Sequence, residues 1–441
     1  LNNPIAILRA SFTPLRNRDF RLYLTGQGIS LMGYWMQVAG QGLLVFSLAR
    51  AMGEGVRGNA VLGIVAMISA LPLLLFGLWT GVLADRFDRR KVLIVTSTLA
   101  MLLAFVLAAL TQFGTVELWH IYVLSFLLGM VSSLDLPSQQ AFLGDVVGMG
   151  EIRKAVNLNA MVLQVSRVLG PAIAGVLIAS VGISVSFWLN GLSYLAVIAC
   201  LLMLKTTHKS KGSTDSPIHQ IQDAFRFLRT QPRMQDLFIF ALFVVLFVLS
   251  IVLSQLPAVA AQVLGAVDED QLALYNGALN SASGAGALFG VVLVVPLAQA
   301  QKRNGMVMGF ACLWMGFWLL LFSMSTMLPL SVFSLFMGSI GAPTVMTMCL
   351  GLTQLMSPDA MRARMLSLFT MLSFGLQPVA FLIVGQIAER LGVAAAIQFN
   401  AVVLIVATAV LLGLRGELRR WQFTPAAPAP LPIQSDVVSA S

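Results

Sequence analysis

Twelve apolar runs, each about as long as a lipid bilayer's hydrocarbon core requires of a helix, follow one another along the chain. The pattern places membrane spans at roughly 22–48, 60–83, 92–113, 118–142, 156–181 and 184–204, then at 236–261, 273–298, 306–326, 329–351, 366–388 and 393–414. Polar breaks separate them, and the longest internal break is 205–235. Within it, 218–230 carries apolar residues near helical spacing with basic residues between them. That is the pattern of a helix lying on a membrane surface. The expected organisation is a six-helix bundle over 1–204, a cytoplasmic linker with an interfacial helix over 205–235, a second six-helix bundle over 236–414, and a disordered Pro- and Ala-rich tail over 415–441. The expected fold class is an all-α polytopic membrane protein.

Composition agrees with this reading. Of 441 residues, 58% are hydrophobic and only 10% are charged, against about a quarter charged in soluble domains. The net charge of +9 could suggest a nucleic-acid partner, but the placement of the basic residues argues against one. With both termini on the cytoplasmic side, all of the 27 Lys and Arg residues fall on that side except Arg50, Arg57, Arg390 and Arg167, as the positive-inside rule requires. The polar, Arg-rich first 21 residues precede an apolar run too long for a signal peptide. A multi-pass protein of a cytoplasmic (inner) membrane is expected, as a monomer, with the bilayer itself as a partner.

Charges inside a bilayer are costly and usually functional. Asp135 is the only one of the 18 acidic residues deep in a span, and Arg167 is the only deep basic one. Counted from the nearest cytoplasmic ends, they lie about 15 and 20 Å deep at 1.5 Å per residue. Similar depths on consecutive spans allow a direct ion pair, either a permanent structural one or one that a proton on Asp135 would open. In the first span, Gln27, Ser30, Tyr34, Gln37 and Gln41 recur at spacings of three and four, forming one polar stripe on an apolar helix. Such a stripe faces a bundle interior or a water-filled cavity. Further cavity candidates are Ser250 and Ser254, Asn276 and Asn280, Thr344 and Met348, and Gln377. Each can equally serve interhelical packing or hydrogen bonding.

Two stretches carry a resemblance. The turn Gly81-Val82-Leu83-Ala84-Asp85-Arg86-Phe87-Asp88-Arg89-Arg90-Lys91 resembles the signature loop of the major facilitator superfamily, with Asp88 where a glycine usually stands. Residues 135–147 (DLPSQQAFLGDVV), 167–175 (RVLGPAIAG) and 17–37 look like the branch of that superfamily containing enterobactin exporters and macrolide-efflux permeases. Gly170, Pro171 and Gly175 resemble the fifth-span motif of drug antiporters, with Ser166 where the motif has a glycine. The resemblance implies the major facilitator fold, twelve helices in two bundles around a central cavity lined by spans one, four, seven and ten. It also implies a gating role for Gly81, Asp85, Arg86, Asp88, Arg89 and Arg90. Weak internal similarity supports paired halves, since Pro137 matches Pro343 and Pro171 matches Pro378.

The chain contains no G-x-x-x-x-G-K-[ST] phosphate loop, no nucleophile-base set and no clustered metal ligands; Cys200, Cys312 and Cys349 lie in apolar runs. Neither an enzyme nor a cofactor is expected. The function read from the sequence is proton-coupled efflux of hydrophobic or amphipathic small organic molecules, drug- or siderophore-like. Asp135 and Arg167 are the coupling candidates. Import or facilitation on the same scaffold and a non-transporting membrane sensor are the alternatives.

Overall fold

The computed structural model describes residues 13–51, 53, 58–148, 151–204, 217–299, 301 and 303–416. Residues 417–441 of the tail expected to be disordered and 205–216 of the linker lie outside them. The first bundle comprises α1 (Arg18–Ala51), α2 (Gly58–Arg86), α3 (Arg89–Gln112), α4 (Leu118–Val147), α5 (Ile152–Val181) and α6 (Ser184–Met203). A short helix, α7 (Pro217–Thr230), leads into the second bundle. That bundle holds α8 (Pro232–Ser254, extended by the turn Leu256–Gln262), α9 (Glu269–Gln299), α10 (Asn304–Met324), α11 (Leu328–Met356), α12 (Asp359–Gly375, then Gln377–Leu391) and α13 (Val393–Leu414).

Among the described residues, eleven helices are long and apolar enough to cross a membrane. The remaining long one, α1, has 34 residues, enough for any bilayer, but Gln27, Gln37 and Gln41 lower its apolarity. Every expected span corresponds to one of these twelve helices. Three are broken shortly before a proline. Pro257 follows a break at Gln255, and Pro343 and Pro378 follow turns at Ile340 and Leu376. Each proline removes the N–H that would bond one turn earlier. Single π-turns, Val245–Leu249 and Gly290–Val294, interrupt α8 and α9. The two bundles end their fifth helices alike, on a left-handed glycine: Gly182 (φ 105°) between α5 and α6, and Gly392 (φ 86°) between α12 and α13. Both residues start a tight reversal that a Cβ would strain.

The end where α1 begins and α13 finishes is called the near end here, and the opposite one the far end. Within the first bundle α1 packs on α5 and α6, α2 on α4, and α3 on α4 and α6; within the second α10 packs on α13 and α11. Two long seams join the bundles, α5 against α9 and α2 against α12. Glycines make both seams possible. A Cβ on Gly277 would stand 2.8 Å from the Pro171 carbonyl oxygen and 3.0 Å from the Gly175 Cα. A Cβ on Gly385 would stand 3.0 Å from the Gly63 Cα. In lipid, where burial of apolar surface from water does not drive helices together, such small residues let backbones approach and gain dispersion contact. α7 docks on α12, burying Ala224 and Leu228 and pairing Asp223 with Arg364 at 2.8 Å.

Candidate functional site: a central cavity and two membrane-embedded charges

Between the bundles lies a cavity of about 340 Å³. The stripe on α1 supplies Tyr34, Gln37 and Gln41 to its wall; α4 supplies Ser125, Ser132 and Ser133, α2 supplies Ser69, and Ser254 and Gln377 come from the second bundle. Val45, Leu62, Leu73 and Phe381 make much of the remaining wall apolar. Among the described residues no charged side chain lines it. The polar groups of the stripe are held by neighbouring helices. Asn190 Nδ2 donates to Gln37 Oε1 at 2.6 Å, and Gln41 Nε2 donates to Ser125 Oγ at 2.8 Å. The stripe is thus fixed on one face by α6 and α4, leaving the rest of each amide to the cavity.

Other sequence candidates are placed elsewhere. Gln27 and Ser30 are buried closer to the near end, outside the cavity wall. Ser250 is fully buried and donates to the Leu246 carbonyl of its own helix. Thr344 does the same to Ile340 at 3.0 Å, and Met348 packs in the core of the second bundle. Asn276 is buried and donates across the bundles to the Ala39 carbonyl at 3.3 Å, while Asn280 donates back to Asn276. These four hydroxyl and amide groups satisfy each other or the backbone, as buried polar groups in lipid must.

The ion pair between Asp135 and Arg167 does not form. Asp135 Oδ1 accepts from Thr96 Oγ1 at 2.6 Å, and its Oδ2 accepts from Gln139 Nε2 at 2.5 Å. Gln139 Oε1 in turn accepts from Gln27 Nε2 at 3.0 Å. The chain Gln27→Gln139→Asp135←Thr96 links α1, α4 and α3. The carboxylate dictates its direction, because an ionised carboxylate can only accept, so each amide must turn its NH₂ toward it. Arg167 points the other way. Its guanidinium carbon lies 5.3 Å from the centroid of the Trp35 ring, and Nη2 donates to Ser283 Oγ at 3.4 Å. The physical reason is packing: α4 lies against α2 and α3, whereas α5 lies against α9 and α1. Equal depth on consecutive helices does not make neighbours.

The loop expected to gate falls partly outside the described side chains, which exclude those of 78–86 and so those of Gly81, Asp85 and Arg86. Asp88 caps α3 by accepting from the Arg90 backbone N–H at 3.0 Å. Arg89 pairs with Asp145 at 2.9 Å, and Arg90 donates to the Leu201 and Leu202 carbonyls at 2.7 and 2.9 Å. Arg90 therefore satisfies carbonyls left open at the end of α6. These three residues clamp the near end of the first bundle to itself. Gly170 lies against α1, where its Cβ would stand 2.7 Å from the Trp35 Cβ, and Pro171 and Gly175 belong to the α5–α9 seam.

At the far end the bundles are closed on each other. Asn59 and Gln262 exchange hydrogen bonds at 3.1 and 3.2 Å, Asn59 Nδ2 also donates to the Ala388 carbonyl at 3.1 Å, and Gly63 meets Gly385 beside them. A cavity walled by two six-helix bundles and sealed at one end is the architecture of the major facilitator fold. Residues 9–438 match the family described as transmembrane secretion effector, and the chain belongs to it. A staphyloferrin A transporter of Staphylococcus aureus (strain NCTC 8325 / PS 47) is 32% identical over 173 residues; the match covers 38% of this chain and 44% of the relative, so the chain spans about half of that protein. The enterobactin exporter EntS of Shigella flexneri is 25% identical over 346 residues, covering 78% of this chain and 80% of the exporter. Among solved structures, an inward-facing bacterial homologue of the human lysosomal transporter Spinster superposes with a TM-score of 0.67 at 14% identity, covering 93% of this chain and 99% of that one. It shows the shared fold.

Proposed function

We propose that this chain exports hydrophobic or amphipathic small organic molecules from the cytoplasm, driven by protons entering the cell. The observation that carries the reading is the largely apolar cavity of about 340 Å³ held between two bundles and sealed at the far end. The basic residues clustered at the near end support a cytoplasmic position for that end. With that sidedness the sealed far end faces outward, and the conformation is one that accepts cargo from the cytoplasm. Similarity to an enterobactin exporter supports efflux. Serine and glutamine groups on an apolar wall suit amphipathic cargo.

Asp135 is the proposed proton carrier, and its neighbours supply a way to transmit the event. A proton on Asp135 turns one acceptor oxygen into a donor. The Gln139 NH₂ then faces an O–H, and its amide rotates to present Oε1 instead. That rotation points NH₂ at the NH₂ of Gln27, and the bond to α1 is lost. Because α1 also carries Tyr34, Gln37 and Gln41 of the cavity wall, protonation loosens the helix that shapes the cargo site. Purified protein in proteoliposomes, given cargo identified by a resistance screen in an efflux-deficient strain, tests this. Asp135→Asn is expected to lose transport driven by an imposed pH gradient while keeping exchange of cargo at equal pH. Unchanged gradient-driven transport in that variant removes Asp135 from the mechanism.

A further inference from the structure

Among the described residues, the cation at the centre of the molecule has no counter-charge, whereas other arginines find strong partners. Arg89, Arg364 and Arg415 pair with Asp145, Asp223 and Asp236, and Arg90 caps two carbonyls. Arg167 makes none of the described ion pairs. It rests on the Trp35 face and reaches one hydroxyl, Ser283 Oγ, at 3.4 Å, near the outer limit of a hydrogen bond. That hydroxyl already accepts from Ser339 Oγ at 3.1 Å. The carboxylate of Asp135, deep in α4, has both oxygens occupied by Thr96 and Gln139.

A charge at this depth without a counter-charge is costly, as is the survivor of a broken buried pair. A fold that keeps it gains from an anion that arrives later. Arg167 is placed for one. The residue is half-buried and stands next to the cavity wall without being part of its lining. Trp35, which it covers, is also part of the cavity wall, and Tyr34 meets Trp35 edge-on at 5.6 Å. A planar guanidinium with free N–H groups matches an oxyanion in two-point contact, and the neighbouring aromatic rings match an apolar body.

We infer that Arg167 and Trp35 form an anion subsite at the edge of the cavity, and that the cargo is an amphipathic organic anion whose carboxylate or similar oxyanion group sits on Arg167 while its apolar body lies along Trp35 and Tyr34. This rests on the transport reading above and narrows its substrate class. The position also gives the subsite a mechanical consequence. Arg167 holds Ser283 of α9 from α5, and the Arg167 carbonyl lies where a Cβ on Gly284 would stand 2.8 Å away. An oxyanion that draws the guanidinium off Ser283 removes a polar contact across the α5–α9 seam, so loading the site and loosening the seam are one event.

The test compares matched pairs of ligands on the full-length protein in phosphatidylcholine nanodiscs: 4-nitrobenzoate against 4-nitrobenzamide, and 2-naphthoate against 2-naphthamide. Binding is read by tryptophan fluorescence for the nitro pair and by equilibrium dialysis for the other. The wild-type protein is expected to bind each carboxylate about tenfold more tightly than its amide, the size of one charge-assisted contact. Arg167→Gln is expected to bind both members of a pair equally, and Arg167→Lys to keep part of the preference. A brace that serves only structure would lower stability without changing the ratio. Equal binding of carboxylates and amides by the wild-type protein overturns the proposal without any variant, as does a preference that survives Arg167→Gln. Displacement of the carboxylates by added phosphatidylglycerol would assign the subsite to lipid headgroups and overturn the cargo assignment. Counterflow of labelled 2-naphthoate in proteoliposomes is measured alongside. A carboxylate preference without counterflow of any compound would sink the transport reading and leave the anion site, whereas counterflow of neutral compounds with no preference would do the reverse.

Discussion

The two ends of the molecule are held by different chemistry. At the far end a set of bonds runs between bundles: Asn59 to Gln262 and to the Ala388 carbonyl, and the Ala60 N–H to the Glu389 carboxylate at 3.4 Å, with Gly63 against Gly385 and Gly175 against Gly277. At the near end the described ion pairs each close within one bundle: Arg89 with Asp145 and Lys154 with Glu151 in the first, Asp223 with Arg364 and Asp236 with Arg415 in the second. The far-end contacts sit where the bundles would have to part. The near-end pairs are mostly solvent-accessible and individually modest, but each braces one bundle and none of them ties the two together. The difference teaches which contacts belong to the moving parts and which to the bodies that move.

The largest effect is expected from filling a glycine seam. In Gly385→Ala a Cβ meets the Gly63 Cα at 3.0 Å and the Asn59 carbonyl oxygen at 3.1 Å, both backbone atoms that cannot swing aside. Overpacking of this kind costs about 1–3 kcal/mol, and here the cost falls on the far-closed state alone. A shift of roughly ten- to hundredfold toward far-open molecules follows. Labelling of a single cysteine at Leu62, a buried residue of the cavity wall, by a membrane-impermeant maleimide added outside checks it, and an unchanged rate contradicts the assignment of this seam as a closing contact. Next comes Asn59→Ala, which removes three far-end hydrogen bonds. In membranes each such bond contributes about 0.6 kcal/mol on average, so the same assay is expected to move in the same direction by roughly ten- to thirtyfold at most.

The smallest expected effect sharpens the comparison by its kind. Asp145→Asn unpairs Arg89 inside the first bundle, with both side chains about one-fifth exposed at 19%. It is expected to lower the temperature of unfolding, read by a thermal melt in detergent, for a loss of about 1 kcal/mol, while leaving far-end cysteine labelling at the wild-type rate. If it instead changed labelling as strongly as Gly385→Ala, the near-end pairs would belong to the gate.

Much of the fold was legible in the sequence for a simple reason. A bilayer demands about 20 apolar residues per crossing, and no other solvent writes so plain a repeat. The stripe on α1 was legible for a related one, since Tyr34, Gln37 and Gln41 keep helical spacing and polar groups at that spacing must share a face. Which helices touch was not legible. Asp135 and Arg167 share a depth, yet packing sends one to Thr96 and the other to Trp35. Thr96 is one hydroxyl in an apolar run, without a pattern to mark it. Gln139, four residues after Asp135, carried a usable signal, because one helical turn brings its amide beside the carboxylate. The seam glycines Gly63, Gly277, Gly284 and Gly385 look like any others in a chain of 37 glycines, and only their opposite partners distinguish them. Asn276 and Thr344 were read toward a cavity because polar groups in lipid need partners. The partner turned out to be backbone.

Rocking of the two bundles about the central cavity is tested most directly by distances measured between spin labels across the bundles, in nanodiscs and in a cysteine-free background. One pair, Thr115→Cys with Thr326→Cys, reports on the far end, and the other, Lys91→Cys with Gln354→Cys, on the near end; all four positions are exposed. Lowering the pH enough to protonate Asp135 is expected to lengthen the far-end distance and shorten the near-end one, and Asp135→Asn is expected to hold one distribution at every pH. Two distances that stay fixed, or that lengthen together, would contradict a pair of rigid bundles exchanging one seal for the other.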